Sequence, residues 1–176
     1  FRTLDEIAAT IFGFIYCVIL FSFVPKLLML PLTDVDGNPS AHYYLVFLVM
    51  VTKLTDMGAY AVGSLIGRDK MVPHVSPGKT WQGFGGAILF ALIGSFSFYF
   101  LVGDKIPIIT PIHAAVLAII LGLVAVLGDL AESILKRSLE VKDSGQLMPG
   151  IGGFLDLIDS VIFTAPLLYI YLLIFG

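Results

Sequence analysis

Side chains that can bind cations and anions are concentrated in one stretch of the chain, which runs from Asp129 to Asp159 and reads DLAESILKRSLEVKDSGQLMPGIGGFLDLID. The stretch contains two closely spaced acidic pairs, a basic pair, a Lys-Asp pair and a glycine-rich segment. Apolar sequence long enough to cross a bilayer lies on either side of it. Because charged groups are costly beside lipid, this density of polar chemistry indicates a functional site.

Three polar residues that precede the basic pair lie on one helical face. Asp129, Glu132 and Ser133 stand at positions i, i+3 and i+4, and Lys136 follows one turn later. Asp129 is two turns before the basic pair, about 10 Å deeper along a helix that rises ~1.5 Å per residue. An acid at that depth costs about 2.5–3.5 kcal/mol and usually faces a polar cavity. A solvated helix end with an Asp–Lys salt bridge is the alternative interpretation for Lys136 and Arg137.

A second acidic pair begins the next apolar helix. Asp156 and Asp159 are one turn apart on one face, where the helix dipole favours acids, so a capping role is the alternative. Carboxylates that converge from two helices repel each other unless they are protonated or bridged by a cation. Oxygen ligands with open positions for a substrate suit Mg²⁺. The sequence therefore favours a Mg²⁺ site where the acids of these two helices converge.

Two segments outside the apolar runs can bind phosphate. The turn PGIGG at residues 149–153 precedes the last helix, where backbone N–H groups can point at phosphate oxygens, and Lys142 lies shortly before it. A flexible connection is the alternative for the glycines. The earlier segment SPGKT offers the side chains of Ser76, Lys79 and Thr80 as further phosphate ligands.

The composition is that of an integral membrane protein. Of the 176 residues, 58% are hydrophobic and 13% are charged, and the mean hydropathy is +0.99. The net charge of −3 gives no indication of nucleic-acid binding. The long apolar runs do not alternate with period two, so they predict helices rather than a barrel. We expect an all-α polytopic bundle that forms a single transmembrane domain over residues 1–176, with about five spans: Ile7 to Leu30, Tyr43 to Gly67, Gly83 to Gly103, Ile112 to Leu135 and Leu155 to Phe175.

The distribution of basic residues predicts the orientation in the membrane. The loops at residues 68–82 and 136–154 carry Lys and Arg, whereas the loop at residues 31–42 carries two acids and no Lys or Arg. Basic loops stay on the cytoplasmic side, so both phosphate-binding segments are predicted there. Lys53 and Asp56 lie on one face of the second span near mid-depth, as an intramembrane ion pair or as the wall of a polar cavity.

These motifs resemble those of the phosphatidate cytidylyltransferases, also called CDP-diacylglycerol synthases. Residues 133–159 closely match the signature of that family, which runs S-x-apolar-K-R, four residues, K-D, a turn rich in Pro and Gly, H-G-G and D-R-x-D. Ile151 stands where the family usually has His, and Leu157 where it usually has Arg. SPGKTWQG at residues 76–83 resembles the family's SPKKTWEG, and TDMGAYAVGSLIG at residues 55–67 resembles its D-x-x-A-Y-x-x-G segment.

The resemblance implies a multi-pass enzyme of the cytoplasmic (inner) membrane whose active site faces the cytoplasm. Such an enzyme transfers CMP from CTP to phosphatidate in phospholipid biosynthesis, giving CDP-diacylglycerol and pyrophosphate. The resemblance also implies dependence on Mg²⁺, leaves a second cation and a homodimer open, and makes this chain the C-terminal portion of a longer protein. The implied catalytic residues are Asp129, Asp156, Asp159 and Lys136, of which the three acids bind metal. The implied substrate-binding residues are Ser76, Lys79, Thr80, Arg137, Lys142, Asp143, Gly152 and Gly153.

Three other functions are compatible with the same residues. A cation or proton transporter would use the intramembrane charges as a relay, but this reading does not explain KRSLEVKD or the PGIGG turn. The charges in question are Lys53, Asp56, Asp129 and Asp159. A CTP-dependent polyprenol kinase would release CDP rather than pyrophosphate. A catalytically inactive membrane scaffold would keep the fold without turnover.

Overall fold

A computed structural model describes residues 13–138 and 154–176, together with residues 3, 7, 10 and 11; for residues 17, 136–138 and 154–157 it describes the backbone alone. Within these residues the all-α class is confirmed, because strands are confined to one short hairpin. In chain order, the elements are a π-helical segment (Ile15–Leu20), α1 (Phe23–Leu28), α2 (Ala41–Ile66), β1 (Lys70–Val72), β2 (Ser76–Thr80), α3 (Trp81–Val102), a 3₁₀ turn (Gly103–Lys105), α4 (Pro111–Ser138) and α5 (Phe154–Phe175).

Four helices in the described part of the chain are long and apolar enough to cross a membrane. Each of them coincides with one of the last four predicted spans, which confirms a polytopic helical membrane protein. They are Ala41–Ile66, Trp81–Lys105, Pro111–Leu135 and Ile158–Phe175.

The first predicted span, Ile7 to Leu30, is not one continuous α-helix in its described part. The π-helical segment passes into α1 through a turn in which Ser22 Oγ donates to the carbonyl of Ile19 at 2.6 Å. Pro25 falls in the first turn of α1, where its missing N–H breaks no intrahelical bond. The apolar helical stretch here, Val18–Leu28, is shorter than a spanning helix needs to be.

Apolar side chains fill the half of the bundle that lies toward the loops at residues 29–40 and 103–110. We call this half the apolar half, and it takes buried side chains from all five α-helices. In a bilayer, helix association depends on close packing, since lipid is as apolar as the side chains themselves. The fully buried members include Tyr44, Phe47, Leu48, Val51, Leu117, Leu121, Leu168 and Leu172.

Helices α2 and α3 approach each other closely through glycines. A Cβ added at Gly86 would lie 2.5 Å from the side chain of Val62 and 2.6 Å from the carbonyl oxygen of Gly58. A Cβ at Gly83 would lie 2.8 Å from the carbonyl oxygen of Ala59. Residues without side chains allow two helix backbones to come this near in membranes. The contact therefore holds the start of α3, and the hairpin before it, against α2.

Gly86→Ala is expected to lower the thermal unfolding temperature, although alanine is the better helix former. The added methyl group would overlap Val62 and the carbonyl of Gly58, and overpacking of this kind costs about 1–3 kcal/mol. Gly85→Ala is the matched control in the same helix, because nothing lies within 4 Å of a Cβ added there. Equal unfolding temperatures for the two variants in the same detergent would contradict this packing.

A β-hairpin occupies most of the loop predicted at residues 68–82. Its two strands, β1 and β2, pair antiparallel. Thr80 ends β2 and is also the N-cap of α3, because its hydroxyl accepts the N–H of Gly83 at 3.1 Å. This cap starts the helix at Trp81, two residues before the predicted start at Gly83.

At the opposite end of the bundle, an ion pair closes the acidic loop. Asp34 Oδ2 accepts a hydrogen bond from Lys105 Nζ at 2.7 Å, and Asp34 Oδ1 accepts the backbone N–H groups of Asp36 and Asn38 at 2.9 and 2.8 Å. The Lys105 ammonium, with help from the Asn38 N–H, lowers the pKa of Asp34 from 3.8 to about 2. The ionised carboxylate therefore ties the loop before α2 to the turn after α3.

Asp34→Asn is expected to reduce stability near neutral pH and to lose that effect in acid. Because folding lowers the pKa of Asp34, its ionised form favours the folded state above about pH 4, and the contribution declines as the pH falls toward about 2. The difference in unfolding temperature between wild type and Asp34→Asn should shrink as the pH falls below about 4. Asp36→Asn is the control. The Asp36 side chain is 71% exposed, so this substitution should change the unfolding temperature less at every pH. If the difference in unfolding temperature between wild type and Asp34→Asn does not change with pH, the ionised Asp34 carboxylate is not the source of the stability.

Candidate functional site

Three carboxylates from three separate helices meet inside the bundle. Asp56 of α2, Asp129 of α4 and Asp159 of α5 each offer an oxygen atom, and these atoms all lie within 4.8 Å of one another. Asp159 is 6% exposed, and the side chains of Asp56 and Asp129 are each 27% exposed. All three stand in helices long enough to span a membrane, where acids usually mark a site or a pathway. We call this group the acid cluster.

Two neighbouring residues hold the acid cluster from the side of α2 and α5. Lys53 Nζ lies 3.2 Å from Asp56 Oδ2, which is the ion pair expected from their spacing. Ser160 Oγ donates to the same carboxylate oxygen at 2.8 Å, and the Ser160 N–H donates to Asp159 Oδ1 at 2.6 Å. These bonds connect α2 to α5 and offset part of the negative charge.

Lys79 brings a positive charge from the hairpin to the acid cluster. Its Nζ lies 3.3 Å from Asp129 Oδ2 and donates to the carbonyl of Val126 at 3.3 Å. Because Lys79 belongs to β2, this contact joins the hairpin to α4. The side chains of Lys79 and Asp129 are only 22% and 27% exposed, so salt screens this pair less than it screens a surface pair.

A cavity of about 550 Å³ lies between the hairpin and helices α2, α3 and α4. Its wall includes two members of the acid cluster, Asp56 and Asp129, and three residues of β2, Ser76, Lys79 and Thr80. A volume of this size is in the range of small-molecule sites. Groups that attract cations and groups that attract anions therefore face one space.

The structure brings several of the predicted site residues together. Asp129 and Asp159 meet in the acid cluster, and Ser76, Lys79 and Thr80 line the cavity that contains Asp129. The hydroxyl of Thr80 also caps α3, so Thr80 has a structural contact in addition to its place in the wall.

Other predicted site residues are described only in part or not at all. Asp156 stands in the first turn of α5, one turn before Asp159, and Lys136 and Arg137 stand in the last turn of α4; only the backbone of these three is described. Four further predicted residues lie outside the described residues: Lys142, Asp143, Gly152 and Gly153.

Asp56 is a member of the acid cluster that the sequence patterns do not assign to the metal site. They place it with Lys53 as an ion pair or a cavity wall, and the structure shows both. Two signals were available: Asp56 is an acid near mid-depth in an apolar helix, and it matches the Asp of the D-x-x-A-Y-x-x-G segment. Ser160 also contacts the cluster, but an uncharged residue beside Asp159 carries no comparable signal.

The acid cluster fits a hard divalent cation. Carboxylate oxygens are preferred ligands of Mg²⁺ and Ca²⁺. Two ligands on opposite sides of Mg²⁺, each at about 2.1 Å, are about 4.2 Å apart. Adjacent ligands are about 3 Å apart, and at least two of the three separations must be of this kind, so oxygens that now lie within 4.8 Å of one another would move closer together on binding. When all are ionised, three carboxylates outnumber the two neighbouring lysines, so the remaining negative charge also attracts a cation.

The fold and the site together define a polytopic membrane protein whose intramembrane carboxylates face a cavity lined by basic and hydroxyl side chains. Residues 1–175 match the profile of the Cytidylyltransferase family, and the chain belongs to that family.

The similar proteins include several named as phosphatidate cytidylyltransferases and one named as uncharacterized. The chain is 41% identical over 133 residues to the phosphatidate cytidylyltransferase of Bacillus subtilis (strain 168), covering 76% of this chain and 48% of that protein. It is 34% identical over 170 residues to the phosphatidate cytidylyltransferase of Mycobacterium bovis, covering 96% and 51%. It is 38% identical over 169 residues to the uncharacterized protein YnbB of Escherichia coli (strain K12), covering 96% and 54%. The chain thus spans about half the length of the curated relatives it matches.

Proposed function

We propose that this chain forms the active-site portion of a phosphatidate cytidylyltransferase, which transfers CMP from CTP to phosphatidate and releases pyrophosphate. The observation that carries the proposal is the convergence of Asp56, Asp129 and Asp159 beside Lys79, at one cavity, in a chain of this family. Two of the similar proteins bear that name, which supports the same reaction.

Charge is the main obstacle to this reaction, because both substrates are anions. A phosphate oxygen of phosphatidate attacks the α-phosphorus of CTP, and the bond from that phosphorus to the pyrophosphate oxygen breaks. The attacking phosphate is already ionised, so a general base is not required. Preorganised cations that neutralise the phosphates therefore supply most of the help that the protein can give.

The acid cluster would hold Mg²⁺, with Asp156 proposed as a further ligand one turn before Asp159. When bound, Mg²⁺ neutralises charge on phosphate oxygens and brings nucleophile and leaving group into line. The protein's own part is to keep Asp56, Asp129 and Asp159 close together at membrane depth, despite their mutual repulsion.

Phosphate binding is assigned to the hairpin and to the segment between α4 and α5. The Lys79 ammonium and the hydroxyl groups of Ser76 and Thr80 would contact phosphate oxygens of CTP from the cavity wall. Lys136, Arg137 and Lys142 would stabilise the leaving pyrophosphate, with Lys136 as the catalytic residue among them. Asp143, Gly152 and Gly153 are proposed as further substrate-binding residues.

The site is proposed to face the cytoplasm from the inner membrane. The hairpin end carries Arg68, Lys70 and Lys79, whereas the loop at the opposite end carries Asp34 and Asp36, which agrees with the rule that basic loops stay inside. Acyl chains then remain in the bilayer while CTP enters from the water.

Reconstitution into liposomes tests the reaction. With phosphatidate, CTP and Mg²⁺, the purified protein should release pyrophosphate and form CDP-diacylglycerol in equal amounts, and omission of phosphatidate should stop both. Release of CDP with a polyprenol acceptor would instead identify a lipid kinase. If neither pyrophosphate nor CDP-diacylglycerol forms, while an active relative assayed in parallel produces both, the proposal is rejected.

A cation or proton transporter is the second candidate, favoured by three acids and Lys53 within spanning helices. It predicts ion flux through the same liposomes without nucleotide. Flux in the absence of CTP, together with no pyrophosphate in its presence, would favour the transporter over the enzyme.

A further inference from the structure

Ser160 is the one hydroxyl that contacts two members of the acid cluster in the part of the chain that the structure describes. It is fully buried on α5, next to Asp159. Its Oγ lies 2.8 Å from Asp56 Oδ2 and 3.1 Å from Asp159 Oδ1, and its backbone N–H donates to Asp159 Oδ1 at 2.6 Å. Ser160 and Asp56 are 104 positions apart in the chain, so the hydroxyl links two helices that the sequence does not pair.

The hydroxyl and the backbone N–H of Ser160 donate to different carboxylates. A hydroxyl has one hydrogen, and the shorter distance directs it to Asp56. The backbone N–H meanwhile holds Asp159. One residue therefore engages one oxygen of each carboxylate and fixes the distance between two groups that repel each other.

Lys53 cannot take over this role. It contacts Asp56 from the same helix, three residues away, and so places no restraint on the position of α5. A third of its side chain is exposed, whereas Ser160 is not exposed at all. Of the hydrogen bonds in the described residues, those of Ser160 are the ones that join Asp56 to Asp159.

We propose that Ser160 is a positioning residue, which holds Asp56 and Asp159 at the separation that a divalent cation needs. This inference rests on the proposed function, because it assigns a cation to the acid cluster. Partners that orient metal ligands typically contribute about 10–100-fold to metal affinity or activity. Loss of the hydroxyl should therefore weaken Mg²⁺ binding while leaving the chemistry available at high Mg²⁺.

The test compares Ser160→Ala with Thr164→Val, each of which removes one buried hydroxyl from α5. Thr164 is also fully buried, and its hydroxyl donates to the backbone carbonyl of Ser160 at 2.8 Å rather than to an acid. The first measurement is the Mg²⁺ concentration that gives half of the thermal stabilisation of the purified protein, without nucleotide. The second is the dependence of CMP transfer on Mg²⁺.

We expect Ser160→Ala to need about 10–100-fold more Mg²⁺ in both measurements, with kcat largely restored at saturating Mg²⁺. Thr164→Val should match wild type, and Ser160→Thr, which keeps a hydroxyl, should lie closer to wild type than Ser160→Ala does. A purely structural role would lower the unfolding temperature of both variants without moving the Mg²⁺ midpoint.

Two results would overturn the inference, and they are distinguishable. If wild type responds to Mg²⁺ and Ser160→Ala has the same midpoint, the role of Ser160 is wrong and the proposed function stands. If wild type shows neither stabilisation by Mg²⁺ nor CMP transfer, the metal assignment fails and the role of Ser160 fails with it.

Discussion

Asp159→Asn is expected to lower CTP-dependent release of pyrophosphate by about 10²–10³-fold or more while the bundle stays folded. Asparagine has nearly the same shape, and its oxygen can still accept the N–H of Ser160, which donates to Asp159 at 2.6 Å. The substitution removes the negative charge by which Asp159 is proposed to bind a divalent cation. Pyrophosphate release from liposomes, with the unfolding temperature measured on the same sample, separates the loss of activity from misfolding.

Two further variants make this result specific to the acid cluster. Asp56→Asn should reduce turnover about as much as Asp159→Asn, and the double variant little further, because residues that act as a unit are not additive. Asp104→Asn is the control, since this acid is exposed at the opposite end of the bundle. Near wild-type turnover in Asp159→Asn would exclude the acid cluster from the reaction.

Lys79→Met is expected to change two properties in opposite directions. It removes the charged hydrogen bond that we propose between Lys79 and the nucleotide phosphates, worth about 1.5–3 kcal/mol, so the KM for CTP should rise about 10–100-fold. It also removes the ammonium group that lies 3.3 Å from Asp129 Oδ2, so the cluster becomes more negative and Mg²⁺ should bind more tightly without nucleotide. The KM for CTP and the Mg²⁺ midpoint of thermal stabilisation measure the two effects.

Arg68→Met is the control for the Lys79 variant. Arg68 carries the same charge at the same end of the bundle but is exposed. Its loss should alter both measurements only slightly, and mainly at low salt. If Lys79→Met binds both CTP and Mg²⁺ more weakly, the lysine acts by supporting the hairpin rather than by its charge.

The spans and the position of the acids follow from the sequence because they depend on local properties. An apolar run of sufficient length predicts a membrane helix wherever it occurs, and four such helices are present in the described chain. The rule for basic loops then places Asp129 and Asp159 at the same end of neighbouring helices. Their meeting in the structure is the consequence of that shared depth.

The third acid could not be assigned because hydropathy does not say which helices touch. Helix α2 is apolar on most faces, so its pattern gives no direction for Asp56 or Lys53. The hairpin was also missed, since SPGKT contains Pro and Gly, which are unfavourable in strands. Thr80 shows the same limitation, because its role as an N-cap depends on where α3 begins.

The apolar half of the bundle has a consequence for the membrane as a permeability barrier. Large side chains such as Tyr44, Phe47 and Leu121 are fully buried there, on the far side of the acids from the hairpin. Water that enters from the hairpin end and reaches Asp129 would meet these packed apolar side chains before it could cross the bundle. The buried apolar side chains therefore separate the polar cavity at the hairpin end from the opposite end of the bundle.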